Sequence, residues 1–173
     1  MSRAKRVLLL GGIALALLGM TYGLWYAVFA EHQALDGIGA SLASGFSAAA
    51  NRDQARSSQA MEQYREAEYR YDRQVDAHGH WIGLAMVLIV LGIGFDGVHF
   101  SAKQKLVLAW VLLAGAFLFP LGVLLQTLSH ASAPRVLAIV GSALVIASLA
   151  AAVLGFLRRA GDYLERGSNA EPI

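Results

Sequence analysis

Four stretches of this sequence are apolar over the length a helix needs to cross a lipid bilayer, and no other feature narrows the possible folds as much. A hydrocarbon core about 30 Å thick takes roughly 20 residues of helix, and open strands are excluded there because lipid cannot satisfy their backbone groups. The runs cover 7–30, 81–100, 106–128 and 136–157. The first is uncharged and closes with Tyr22, Trp25, Tyr26 and Phe29, rings suited to the membrane–water interface. The second carries Asp96 and His99 near its far end, and the third contains Pro120, whose missing N–H predicts a kink. The fourth lies between Pro134 and the Arg158-Arg159 pair. Charged residues make up only 15% of the chain, against about 25% in a soluble domain. The expected fold is all-α: a polytopic membrane protein with four transmembrane helices in a bundle.

Lysine and arginine in short flanking segments set orientation. Arg3, Lys5 and Arg6 precede the first span, Lys103 and Lys105 separate the second from the third, and Arg158, Arg159 and Arg166 follow the fourth. All three groups belong to one side, so both termini are expected in the cytoplasm, and the short loops suit a bacterial inner membrane. Segments 31–80 and 129–135 then lie outside. Val28-Phe29-Ala30 before Glu31 has the small residues a signal peptidase accepts. Against cleavage, the apolar run is longer than the usual 7–15 residues, roughly, of a signal sequence. The chain thus divides into a cytoplasmic N-terminus with the first span (1–30), an outer segment (31–80), three further spans (81–157) and a cytoplasmic tail (158–173).

The outer segment reads as a helical hairpin. Leu35, Ile38, Leu42 and Phe46 recur at helical spacing, Asn51-Arg52-Asp53 marks a turn or cap, and Met61, Tyr64, Tyr71, Val75 and His78 follow on a charged second helix with pairs such as Glu66–Arg70. Within the membrane, small residues let backbones approach closely. Ala143, Ala147, Ala151 and Gly155 stand four apart in the fourth span, and Gly19, Gly23 and Ala27 do so in the first. These stripes are expected to pack helices, either within the chain, in self-association or against another membrane subunit.

Several kinds of chemistry are excluded. Without cysteine there are no disulfides, thiolate zinc sites, iron–sulfur clusters or covalent c-type haem. No basic block suggests a nucleic-acid partner. Gly92-Ile93-Gly94-Phe95-Asp96-Gly97 spells a dinucleotide fingerprint, but no acidic residue follows at the required distance and the context is a membrane helix. There is no Walker loop, no G-x-S-x-G and no S-x-x-K, so independent catalytic activity is not expected.

Two polar groupings remain. Asp96 and His99, three residues apart, are predicted to share a helix face near the cytoplasmic end, as a relay pair or as a carboxylate neutralised by His99, Lys103 or Lys105. On the other side, His32, His78, His80 and His130 fall at the outer ends of three spans. Neutral imidazole is the commonest metal ligand, and haem b needs no cysteine. His80 and His130 are therefore the expected ligands of haem b or a transition metal, with His32 and His78 as further candidates and Asp36, Asp76 and Gln126 as acceptors for the second ring nitrogen. His78 and His80 point opposite ways on a continuous helix, so both reach one ion only if Gly79 breaks it. The run Ala77-His78-Gly79-His80-Trp81-Ile82-Gly83-Leu84 resembles the haem-ligating helix of haem–copper oxidase core subunits. The resemblance covers that segment alone, in a chain with fewer spans and without the other ligand motifs, and implies haem rather than copper or zinc.

Two function classes follow. One is a small membrane protein that carries haem or a metal for electron transfer or metal handling. The other is a non-catalytic accessory or scaffold subunit held in a membrane complex by its small-residue faces and outer hairpin. A sensor ranks below both, because only a short tail follows the last span.

Overall fold

The computed structural model describes residues 1–129 and 131–168, and every regular element among them is helical. In chain order these are α1 (Arg3–Phe29), α2 (Glu31–Ala50), α3 (Gln54–Gly94), a single 3-10 turn (Phe95–Gly97), α4 (Ala102–Leu125) and α5 (Ser132–Ser168). Four of the five α-helices, α2 being the exception, are long and apolar enough to cross a membrane. Their outward-facing side chains, among them Leu10, Leu17, Leu24, Val90, Val107, Ile139 and Ile146, are exposed. Such a continuous apolar surface belongs in lipid rather than water.

Local chemistry starts the helices where they start. Ser2 accepts the Lys5 N–H at the head of α1 and Asp53 accepts the Arg56 N–H at the head of α3. Ser101 and Gln104 form a reciprocal capping box on α4. Pro134 sits in the first turn of α5, where a missing N–H costs nothing. The far end of α3 is closed by lysines: Lys5 donates to the Ile93 carbonyl and Lys105 to that of Asp96.

The largest departure from the expected layout is α3. The sequence suggests an outer helix ending before a separate span from residue 81, whereas one helix of 41 residues runs through both. No proline interrupts it, and Gly79 and Gly83 face open space and stay helical. At about 1.5 Å per residue it is about 62 Å long, roughly twice the thickness of a bilayer core. The second span also ends earlier than expected, at Gly94, and leads through the 3-10 turn into an irregular link to α4.

α1 runs antiparallel to α3. Leu8 and Leu9 approach Gly92, Gly12 meets Ala85 and Ile89, Gly19 meets Trp81, and Gly23 meets His78. α4 and α5 form a second antiparallel pair in which glycines bring backbones together. A Cβ on Gly115 would lie 2.9 Å from the Gly141 carbonyl, and one on Gly141 would lie 2.7 Å from Phe119 Cα. Phe95, Leu8, Leu88 and Leu112 are among the side chains that close the core between the pairs. Val98 is also buried, and the His99 N–H donates to the Gly155 carbonyl, which ties the link to α5. This arrangement gathers the N-terminus, the 95–105 link and residues 155–159 of α5 at one end of the molecule.

The buried face of α5 is not the one the four-residue stripe suggests. Ala143 and Ala147 are exposed and Ala151 is half-buried, whereas Ala138, Gly141, Val145, Ser148, Ala152 and Gly155 turn inward. A helix repeats every 3.6 residues, so a stride of four drifts about 40° per step around the axis. Only Gly155 of the expected stripe lies in the seam, where it meets Val98 and Phe100.

Candidate functional site

The histidine region lies partway along α3, at the other end of its membrane-crossing part from the basic cluster. Because α3 is unbroken at Gly79, His78 and His80 project to different neighbours. His78 turns to α1, where its Nδ1 lies 2.9 Å from the Gly19 carbonyl and its ring fills the notch left by Gly23. His80 turns to α4, with Nδ1 2.6 Å from the Asp76 carbonyl and its ring edge-on to Phe119 at 4.7 Å between centroids. A carbonyl only accepts, so each Nδ1 carries a proton, and in a neutral ring the lone pair is then on Nε2.

The other expected ligands are elsewhere. His32 is exposed on α2, 3.3 Å from Asp36, which forms an i,i+4 pair with it. His130 lies outside the described residues. Asp76 turns its carboxylate to Arg73, 3.6 Å away, and offers His80 only its backbone carbonyl. Gln126 accepts from the Tyr69 hydroxyl at 3.3 Å and donates to the Gly122 carbonyl. Among the described residues no three histidine or carboxylate side chains converge as a metal-binding group.

Asp96 and His99 do not share a helix face. α3 has ended before either residue: Asp96 sits in the 3-10 turn and His99 in the irregular link, its N–H committed to Gly155. Asp96 meets Lys5, 3.8 Å away, and its carbonyl accepts from Lys105. Buried Phe95 and Val98, not a helical register, direct these side chains.

An aromatic and polar seam that sequence reasoning missed surrounds His78. Tyr22 packs edge-on against buried Trp81 at 5.5 Å, and Tyr26 approaches Tyr71 at 6.4 Å. Along it, and on the α4 side of α3, the Tyr26 hydroxyl, Arg73 Nε, Gln74 Oε1 and Trp81 Nε1 are buried without a hydrogen bond. The signal available in advance was the placement of Arg73 and Gln74 within a turn or two of the first apolar residues of the span.

Beyond the membrane-length part, α2 lies along α3, with Gly45 facing Ala60. Charged pairs such as Arg70–Glu66, at 2.6 Å, line α3 beside α2. An open groove of about 600 Å³ between the two helices is bordered by Gln33, Gly37, Glu62, Glu66 and Tyr71. Apolar side chains also remain uncovered here: Phe46 is 73% exposed, Leu35 47% and Met61 45%. Comparisons with protein-family models, curated proteins and solved structures find no match to this chain.

Proposed function

We propose that the protein is a non-catalytic accessory or scaffold subunit of a membrane complex, with the arm formed by α2 and the first half of α3 as its recognition surface. The observation that carries this reading is the single 41-residue α3. A continuous helix transmits position without a hinge, and about 30 Å of it extends past a bilayer core. The exposed Leu35, Phe46 and Met61 on that arm are of the type that partner surfaces cover. The basic clusters support an orientation with both termini in the cytoplasm and the arm outside, as in a bacterial inner membrane. The packing of Gly12 and Gly19 against Ala85 and Trp81 supports α1 as a retained helix of the four-helix bundle.

The test is site-specific photo-crosslinking from position 46 in native membranes, followed by purification. The expected result is one stoichiometric partner, lost in Phe46→Glu while the helix content holds. A chain that crosslinks to nothing, and behaves identically with Phe46→Glu, refutes the reading.

One observation favours a second reading. The carbonyl of Asp76 holds His80 through Nδ1, which in a neutral ring leaves the lone pair on Nε2, the preparation a metal or haem site requires. His80 is then the ligand of haem b or a transition metal, partnered by a residue such as His130. An optical spectrum and elemental analysis of the same sample decide it: a stoichiometric group lost in His80→Ala supports this reading, and its absence in cells supplied with haem and metals refutes it.

A further inference from the structure

At the basic end, three hollows meet around Phe100. The first is an apolar groove of about 500 Å³ between α4 and α5, floored by Val107, Leu108 and Val111 on one side and Ala147, Ser148 and Ala151 on the other. It exists because α5 presents small side chains there opposite larger ones on α4. At its mouth are Lys103, Gln104 and Phe100. Phe100 and Gln104 are shared with a polar hollow that also takes in Lys105, Arg158 and Arg159, and Phe100 and Lys103 with a third hollow beside Arg3. Arg158 reaches over the Phe100 ring at 5.7 Å, so a guanidinium stands directly above the entrance to the groove.

The charge balance at the mouth is one-sided. Among the described side chains lining these hollows, Asp96 is the one carboxylate, and Lys5 faces it at 3.8 Å. Lys103 and Arg158 are both exposed there. An apolar channel that runs along the membrane-crossing part of two helices and opens among cations has the polarity of a phospholipid: acyl chain below, anionic phosphate above. Basic pockets at helix ends recognise anionic headgroups in this way, each cation adding to the attraction.

We infer that the α4–α5 groove is a binding site for an anionic glycerophospholipid, with one acyl chain along Val107, Val111, Ala147 and Ala151 and its phosphate held by Lys103 and Arg158. The site explains why Ala147 and Ala151 are small although the first is exposed and the second only half-buried. It is independent of the outer arm and of the histidines, so its failure leaves the proposed function untouched.

The test is native mass spectrometry of the full chain in detergent, titrated with phosphatidylglycerol or phosphatidylcholine of identical acyl chains. Phosphatidylglycerol should be retained preferentially. Lys103→Gln and Arg158→Gln should each weaken it about fivefold, and the double variant about 25-fold, with phosphatidylcholine unaffected. Ala151→Leu, which fills the groove, should reduce retention of both lipids. Circular dichroism checks that each variant keeps its helices, and Lys103→Gln, an exposed change, serves alone if the others do not. Equal retention of the two lipids overturns the proposal, as does full retention of phosphatidylglycerol by Lys103→Gln. Displacement of the lipid by glycerophosphate at equal concentration would overturn the role of the groove. So would a change of oligomeric state in Ala151→Leu with lipid binding intact, because the face would then belong to a second copy.

Discussion

Replacing Gly141 with alanine places a methyl group inside the backbone of α4. The new Cβ would lie 2.7 Å from Phe119 Cα and 2.9 Å from the Leu118 carbonyl carbon, and nearer still to the Phe119 nitrogen. Carbon atoms rest at about 3.5–4.0 Å, so the two helices must part by about 1 Å, and a gap of that size forfeits roughly a quarter to a half of the dispersion energy between facing atoms. Backbone cannot rotate aside as a side chain can, and lipid supplies no hydrophobic force to press the helices together again. Overpacking of this kind costs about 1–3 kcal/mol. Alanine returns about 0.5–1 kcal/mol through its helix propensity, which leaves a net loss of about 1 kcal/mol from the middle of the two ranges. Gly83→Ala isolates the second term: a Cβ there meets nothing within 4 Å, so that variant should gain about 0.5–1 kcal/mol. The assay is the midpoint of SDS-induced unfolding in mixed micelles, read by tryptophan fluorescence. Opposite shifts for the two variants are expected. If Gly141→Ala is stabilised as much as Gly83→Ala, α4 and α5 do not meet at this glycine and the packing argument fails.

Two further outcomes follow from the geometry. Arg52 is the one described non-glycine residue with a positive φ, at 58°; relieving it with Arg52→Gly should stabilise the α2–α3 turn by about 1 kcal/mol, seen as slower amide exchange across 48–56. Ala152 is 2% exposed whereas Ala143 is exposed on the opposite side of α5. Ala152→Leu should therefore lower the unfolding midpoint by the equivalent of about 1–3 kcal/mol and Ala143→Leu should leave it nearly unchanged; the reverse order would mean that the stride-of-four face is the packed one.

The candidate site was legible only where local rules suffice. That His78 and His80 diverge follows from residues two apart on any continuous helix, and Asp53 falls in the Asn51-Arg52-Asp53 run that reads as a turn or cap. Nothing local shows that His78 seats in the notch of Gly23, since the two are far apart in sequence and meet only because α1 lies antiparallel on α3. The lysines that close α3 are similarly hidden: Lys5 caps a helix that ends at Gly94.

The order of apolar residues along the chain determined that it is helical and has four membrane-length spans, because a bilayer demands a set length and internally satisfied backbones whatever the neighbours are. It also placed eight of the fourteen lysines and arginines in three short segments beside the spans. Tertiary structure alone decided that α3 continues unbroken from arm to membrane, and that α5 buries Gly141 and Ala152 while leaving Ala143 and Ala147 outward. The physical reason is that apolar content sets where a helix lies, whereas inside lipid every face of it is apolar. Which face is packed then depends on where another backbone comes close enough to touch, and that is a property of two helices at once.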